Sequence, residues 1–168
     1  MAYNALEVAQ HVINYSIENQ KPVTNLKLQK VLYYIQAAFL VEKNEICFKE
    51  EIQHWRHGPV IPKVYSEYKA YTDQRIKDLQ TESLDIFINT NGNFAVEEIN
   101  YNKEKFLEED IDLINKVISS YFNMAPWDMV EKTHKEEPWI NTDSNETIDI
   151  NSIREYFEVH KEQIYGGR

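Results

Sequence analysis

Two short segments of the sequence concentrate the side chains that are best suited to chemistry. Residues 54–62 read HWRHGPVIP, and residues 133–139 read THKEEPW. Together they contain two of the three tryptophans and three of the five histidines of the chain. Side chains of these types can bind a metal, activate a nucleophile or contact a partner, and their spacing decides between these possibilities.

A metal site is the first possibility. Three imidazoles, from His54, His57 and His134, together with a carboxylate from Glu131 or Glu136, would suit zinc. However, the spacing matches no zinc motif such as H-E-x-x-H, and His54 and His57 fall in a predicted strand and turn, where their side chains need not converge. A metal-dependent hydrolase is therefore the least favoured interpretation, and we expect neither a metal nor a cofactor.

A nucleophilic site is supported even less. The single cysteine, Cys47, could pair with His54, but no third group is placed to orient the histidine. The half-apolar surroundings of Cys47 indicate an inert, partly buried thiol. The sequence also lacks the G-x-S-x-G, P-loop and dinucleotide-binding patterns, and it contains only four glycines. We expect no catalytic residue and a protein that is not an enzyme.

Two interpretations of the His-Trp-Pro segments remain. Tryptophan can bury a large area while its indole N–H bonds a carbonyl, and proline ends a helix, so both segments could be corners of the core. Alternatively, they could line a shared groove in which Trp55, Arg56, Tyr65, His134 and Trp139 contact a partner, because Trp, Tyr and Arg are the residues most often found at binding hot spots.

The periodicity of apolar residues predicts a mainly α protein that positions these segments. Helices are predicted over residues 5–18, 25–43, 60–71, 107–122, 126–134 and 150–164. The second helix is apolar nearly all round and is therefore expected to lie at the centre of a compact bundle. Residues 84–88 and 94–96 flank Asn91-Gly92, which predicts a small β-hairpin.

Composition limits the possible partners. The chain of 168 residues fits one domain, 1–168, and its net charge of −10 disfavours nucleic-acid binding. The excess of acidic residues would suit a basic protein partner, or it could simply maintain solubility. The longest apolar run, 31–41, is too short to cross a membrane, and the first residues do not resemble a signal peptide, so a cytoplasmic protein is expected.

Three ordered segments resemble those of the Panacea domain family, which includes SocA-like antitoxins and phage-associated GepA-like proteins. Residues 26–34, LKLQKVLYY, resemble the family's LKLQKLLYY helix, residues 55–60 with Tyr65 after them its W-x-x-GPV segment and the tyrosine that follows it, and residues 133–139 its TH-x-E-x-PW segment. Val31 and Ala125 are minor departures. The residues that carry the motifs are Leu28, Lys30, Tyr34, Gly58, Pro59 and Pro138.

The resemblance implies an antitoxin that neutralises a protein toxin, typically encoded by a neighbouring gene, through direct binding. It is compatible with an origin in a prophage or mobile element. One branch of the family resembles an adaptor that delivers its toxin to an AAA+ protease. The alternative to a simple antitoxin is therefore a proteolytic adaptor or a phage-encoded regulator that binds a host protein.

Overall fold

The computed structural model of the chain describes residues 2–167. Its helices and strands are α1 (Ala5–Glu18), α2 (Asn25–Glu42), β1 (Gln53–Trp55), β2 (Gly58–Val60), α3 (Pro62–Tyr68), β3 (Glu82–Ile88), β4 (Phe94–Asn100), α4 (Glu108–Ser120), α5 (Pro126–Thr133), α6 (Glu137–Ile140), α7 (Ile150–Val159) and α8 (Lys161–Ile164). Short 3₁₀ helices occupy Lys69–Tyr71 and Lys103–Lys105. The described chain is mainly helical with two small antiparallel sheets, which confirms the predicted fold class.

Local backbone chemistry moves several predicted boundaries. The predicted helix 60–71 begins only at Pro62, because a residue that precedes proline is kept out of the helical conformation, and Ile61 is extended. Gly-Pro pairs are typical of turns, and the sequence therefore predicts a turn at Gly58-Pro59; this prediction is wrong, since these residues form β2 and the turn lies before them. The predicted helix 150–164 is interrupted at His160, whose φ of −122° and ψ of 50° are not helical.

Helix α2 runs through the centre of the molecule, as its all-round apolar sequence predicts. Fifteen of its 18 residues are buried. It contacts α1, α3, α4, α5, α7, α8 and β2, so the remaining elements surround it. None of the described helices combines the length and the apolar character that a membrane span requires.

The buried side chains of α2 include polar ones, which bind the backbone of neighbouring irregular segments. Gln36 accepts a hydrogen bond from the N–H of Cys47 at 2.7 Å and donates one to the carbonyl of Phe48 at 2.9 Å. Gln29 accepts one from the N–H of Ile61 at 3.0 Å. Since buried polar groups must be paired, these bonds fix the path of the chain before and after the first sheet.

Strands β1 and β2 form an antiparallel hairpin, residues 53–60, which we call the short hairpin. Its turn consists of Arg56 and His57. Strand β2 lies against α2 and α5. The N–H of His54 bonds the carbonyl of Glu146 at 2.9 Å and thereby ties β1 to the segment before α7. The short hairpin thus brings residues 54–62 next to residues 133–139.

Gly58 allows the short hairpin to approach α2 closely. Its φ of +107° lies in a region that residues with a side chain rarely adopt. A Cβ atom at this position would lie 2.6 Å from Cε of Lys30 and 2.8 Å from Oγ1 of Thr133. Glycine is therefore required both by the backbone conformation and by the side chains beneath it.

Replacing this glycine is expected to destabilise the fold strongly. Gly58→Ala should lower the free energy of unfolding by about 3 kcal/mol or more, because backbone strain and overpacking act together. Gly92→Ala is the matched control: its φ is +80°, but a Cβ there would have no neighbour within 4 Å. Strain alone should cost about 1 kcal/mol in the control. Chemical denaturation measures both values, and equal losses would contradict the close approach.

Candidate functional site

Trp139 lies between two histidines where the two His-Trp-Pro segments meet. Its ring centroid is 3.9 Å from that of His54, with 12° between the planes, and 4.1 Å from that of His134, with 17° between the planes. Both distances are too short for two imidazoles to lie side by side on one face. The histidines therefore stack on opposite faces of the indole. Offset parallel stacking is one of the geometries that aromatic rings favour.

Hydrogen bonds hold Trp139 against the short hairpin. Its Nε1 donates to the carbonyl of Trp55 at 3.1 Å. Nδ1 of His54 lies 2.7 Å from the carbonyl of Trp139, so that His54 contacts both the ring and the backbone of this residue. Together these contacts attach α6 to β1. His54 and Trp139 therefore hold α6 and the short hairpin in place relative to each other.

The hypothesised zinc site does not form, because its candidate ligands point to different places. The indole of Trp139 separates His54 from His134, and Glu131 pairs with Lys135 at 3.1 Å on the surface. No group of three or more potential ligands that could hold a metal exists among residues 2–167. The sequence interpretation failed here because the intervening tryptophan could not be placed from spacing alone.

Glu136, the other candidate carboxylate, belongs to a buried ionic cluster. Its Oε1 accepts a hydrogen bond from the hydroxyl of Tyr34 at 2.8 Å, and its Oε2 lies 2.9 Å from Nζ of Lys132. Burial raises the pKa of Glu136, whereas Lys132 and Tyr34 act in the opposite direction. Both members of the ion pair are almost completely buried, so removing one alone would leave an uncompensated charge.

Cys47 is fully buried on the side of α2 where Gln36 bonds its N–H. Burial is the largest of the effects that raise the pKa of its thiol well above the usual value. A thiol in this state is a poor nucleophile. His54 is engaged by Trp139 and not by this cysteine, so the structure does not assemble the pair that the sequence offered.

The outer side of the short hairpin presents aromatic and cationic side chains. Trp55 packs edge-on against Tyr65 of α3, with ring centroids 5.0 Å apart, and its Nε1 donates to Oε1 of Gln53 at 2.9 Å. Tyr65 is 37% exposed, and Arg56 is exposed at the turn. Of the five predicted contact residues, Arg56 and Tyr65 are exposed, while Trp55, His134 and Trp139 are half-buried.

Trp127 joins this surface, although the sequence interpretation did not include it. It is 61% exposed at the start of α5, and its ring packs edge-on against His57, with centroids 4.9 Å apart. The signal was present in the sequence, because Pro126-Trp127 repeats the Pro138-Trp139 pair and both pairs begin a helix. We call Trp55, Arg56, Tyr65 and Trp127 the aromatic corner.

Lys30 supports the aromatic corner from below. Its side chain is fully buried, and its Nζ donates to the carbonyl of Pro59 at 3.1 Å. Burial without an acidic partner lowers the pKa of Lys30 to about 7. Burial also lowers the pKa of His134, and Lys30 adds to this effect, while a hydrogen bond with the backbone of Arg56 opposes it.

The low pKa of Lys30 has a measurable consequence for stability. Between pH 7 and pH 8.5 the unfolded chain keeps the lysine protonated while the folded protein releases the proton. Through this residue, the free energy of unfolding should therefore increase with pH, by at most about 1.4 kcal/mol per unit, and decrease again as pH falls towards 7. Lys30→Met should remove this contribution, so the difference between wild type and variant should change with pH. A difference that stays constant over this range would contradict the assignment.

Comparisons with known proteins place these features in a family. The chain is similar to Antitoxin SocA from Caulobacter vibrioides (strain NA1000 / CB15N), with 34% identity over 67 residues. This match covers 40% of the chain and spans only 36% of the relative. No solved structure matched the chain.

The match to a family model covers more of the chain than the match to this relative. Residues 28–140 match the model described as antitoxin SocA-like, Panacea domain. This range extends from the first turn of α2 to the end of α6 and includes all four residues of the aromatic corner. The chain therefore belongs to the SocA-like antitoxin family with a Panacea domain.

Proposed function

We propose that this protein is an antitoxin that neutralises a protein toxin, the product of an adjacent gene, by binding it directly. Membership of the SocA-like family is the observation that carries the proposal. The site supports it, because the histidines, carboxylates and thiol that could perform chemistry are engaged in structural contacts, whereas the exposed side chains are of the type that binds proteins. No covalent step is needed for this role.

The aromatic corner is the proposed contact surface. Trp55, Arg56 and Tyr65 would touch the toxin, with Trp127 beside them. His134 and Trp139, which are stacked together and attached to the short hairpin, would hold it in a fixed conformation before the toxin arrives. A surface fixed in advance loses little conformational freedom on binding, which favours affinity.

Co-expression tests the proposed function directly. The adjacent gene should arrest growth when expressed alone, and co-expression of this chain should restore growth. An adjacent product that is harmless alone, or that remains toxic in the presence of this chain, would contradict the proposal. If growth is restored only when an AAA+ protease is present and the toxin level falls, the protein acts as a proteolytic adaptor and not by binding alone.

The contribution of the aromatic corner can be measured by substitution. Arg56→Ala and Tyr65→Ala should each weaken binding of the adjacent gene product at least tenfold, since exposed Arg and Tyr residues at hot spots contribute about 2 kcal/mol or more. Val159→Ala, which alters an exposed residue of α7, should leave affinity unchanged. Calorimetry gives the affinities and circular dichroism verifies folding. Folded variants that bind like wild type would show that the corner is not the contact surface.

The negative charge of the protein should affect the rate of association. With a net charge of −10, the chain would attract a basic toxin over distances that salt screens. We expect the association rate constant to fall as ionic strength rises, while the dissociation rate constant changes little. Stopped-flow or surface-based kinetics would show this, and an association rate that is independent of salt would exclude a basic binding surface on the toxin.

A further inference from the structure

Strands β3 and β4 form a second hairpin, residues 82–100, which we call the long hairpin. Its pairing places Ile86 opposite Val96 and Ile88 opposite Phe94. Five apolar side chains on the face turned away from the protein are between 58% and 83% exposed; they are Leu84, Ile86, Ile88, Phe94 and Val96. We call these five residues the outer face.

The opposite face of the long hairpin is mixed where it meets the protein, because the apolar Ile99 is buried there beside polar residues. Ser83 and Asp85 are buried there. Sheets with one solvated face normally turn the apolar residues inward and the polar ones outward. The long hairpin departs from this arrangement: Ile99 joins the core, but the five apolar side chains of the outer face remain in water and two polar ones are buried.

Specific polar contacts hold the long hairpin in this orientation. Asp85 accepts a hydrogen bond from Nδ2 of Asn4 at 2.8 Å and pairs with Nζ of Lys63 at 2.9 Å. Gln10 donates to Oγ of Ser83 at 3.1 Å. A shift of one residue would exchange the two faces, so these contacts fix the register against the preference of the apolar residues.

The outer face has the extent of an interaction site. Its five side chains leave on the order of 500 Å² of apolar surface in solvent, a size at which exposed patches on soluble proteins usually mark binding. The end of the long hairpin also projects beyond the body, because Phe87, on the inner side, is still 37% exposed. A partner could therefore reach the outer face without displacing other elements.

Carboxylates border the outer face at the base of the long hairpin. Glu67, Glu82 and Glu98 line an open groove of about 440 Å³ together with Ser83 and Leu84. All three glutamates are exposed, and none of the ion pairs within residues 2–167 involves them. Groups of unpaired negative charge beside an apolar surface are complementary to apolar residues flanked by lysine or arginine.

We propose that the outer face binds a protein segment whose apolar side chains are flanked by basic residues. This inference rests on the proposed function, and the segment belongs to the toxin. The apolar side chains cover Ile86, Phe94 and their neighbours, while lysine or arginine residues enter the groove between Glu82 and Glu98. The long hairpin is then a second contact surface in addition to the aromatic corner.

A second copy of the chain fits the outer face less well. It would bring the same unpaired glutamates and a further net charge of −10 to the interface. Like charges facing each other oppose association and favour a partner of opposite charge. The free protein is therefore expected to be monomeric, although its apolar face is uncovered.

Substitutions on the outer face test the proposal with the adjacent gene product as the probe. Ile86→Thr combined with Phe94→Thr removes apolar surface, keeps residues that suit strands and changes only exposed positions. This double variant should bind the adjacent gene product at least tenfold more weakly than wild type. Its midpoint of chemical denaturation should be unchanged. Val159→Thr removes an exposed apolar residue from α7 and should bind like wild type.

The charges are tested separately. Glu82→Gln combined with Glu98→Gln should lower the association rate constant severalfold at low ionic strength and reduce its dependence on salt. The dissociation rate constant of this variant should change little. If this variant associates as fast as wild type, basic residues do not enter the groove and the stated chemistry of the partner is wrong.

The outcomes separate this inference from the proposed function. If the wild-type chain does not bind the adjacent gene product, the proposed function itself is wrong. If wild type binds, and the Ile86→Thr/Phe94→Thr variant binds within twofold of it, only the inference about the outer face is overturned. Sedimentation of the free chain provides the last test, since a dimer that the double variant abolishes would identify a second copy as the occupant.

Discussion

The architecture depends on hydrogen bonds between buried polar side chains of α2 and the backbone of the segments around it. Lys27 donates to the carbonyl of Met124 in the α4–α5 connection, Lys30 donates to Pro59 in β2, and Gln36 binds the segment that follows α2. A buried amide or ammonium without a partner is costly, so none of these segments can move away from α2 without destabilising the protein. The short hairpin is rigid because it lies directly on this helix.

The same packing engages the side chains that the sequence offered as candidates for chemistry. His54 and His134 are stacked on Trp139, and Glu136 is held by Tyr34 and Lys132 inside the fold. The aromatic corner and the outer face of the long hairpin, by contrast, lie at the surface. The proposed antitoxin function needs such surfaces, because a protein that neutralises a toxin by binding must recognise it through exposed side chains.

The sequence predicted those features that depend on local patterns, and it missed those that depend on distant residues. All-round apolar character identified α2 as the central helix, and Asn91-Gly92 identified the long hairpin. By contrast, the orientation of that hairpin is set by Asn4 and Lys63, whose contacts with Asp85 no local pattern encodes. The separation of the two histidines by Trp139 is equally a property of the folded chain.

Hydrogen exchange of the chain, alone and with the adjacent gene product, tests most directly the claim that the protein acts through these two surfaces. Binding should slow exchange in the turn of the short hairpin and along β3 and β4, because contact excludes water there, while the buried amides of α2 should change little. Protection confined to other elements, such as α7 and α8, or the absence of any protection with a toxin that this chain neutralises, would contradict the account.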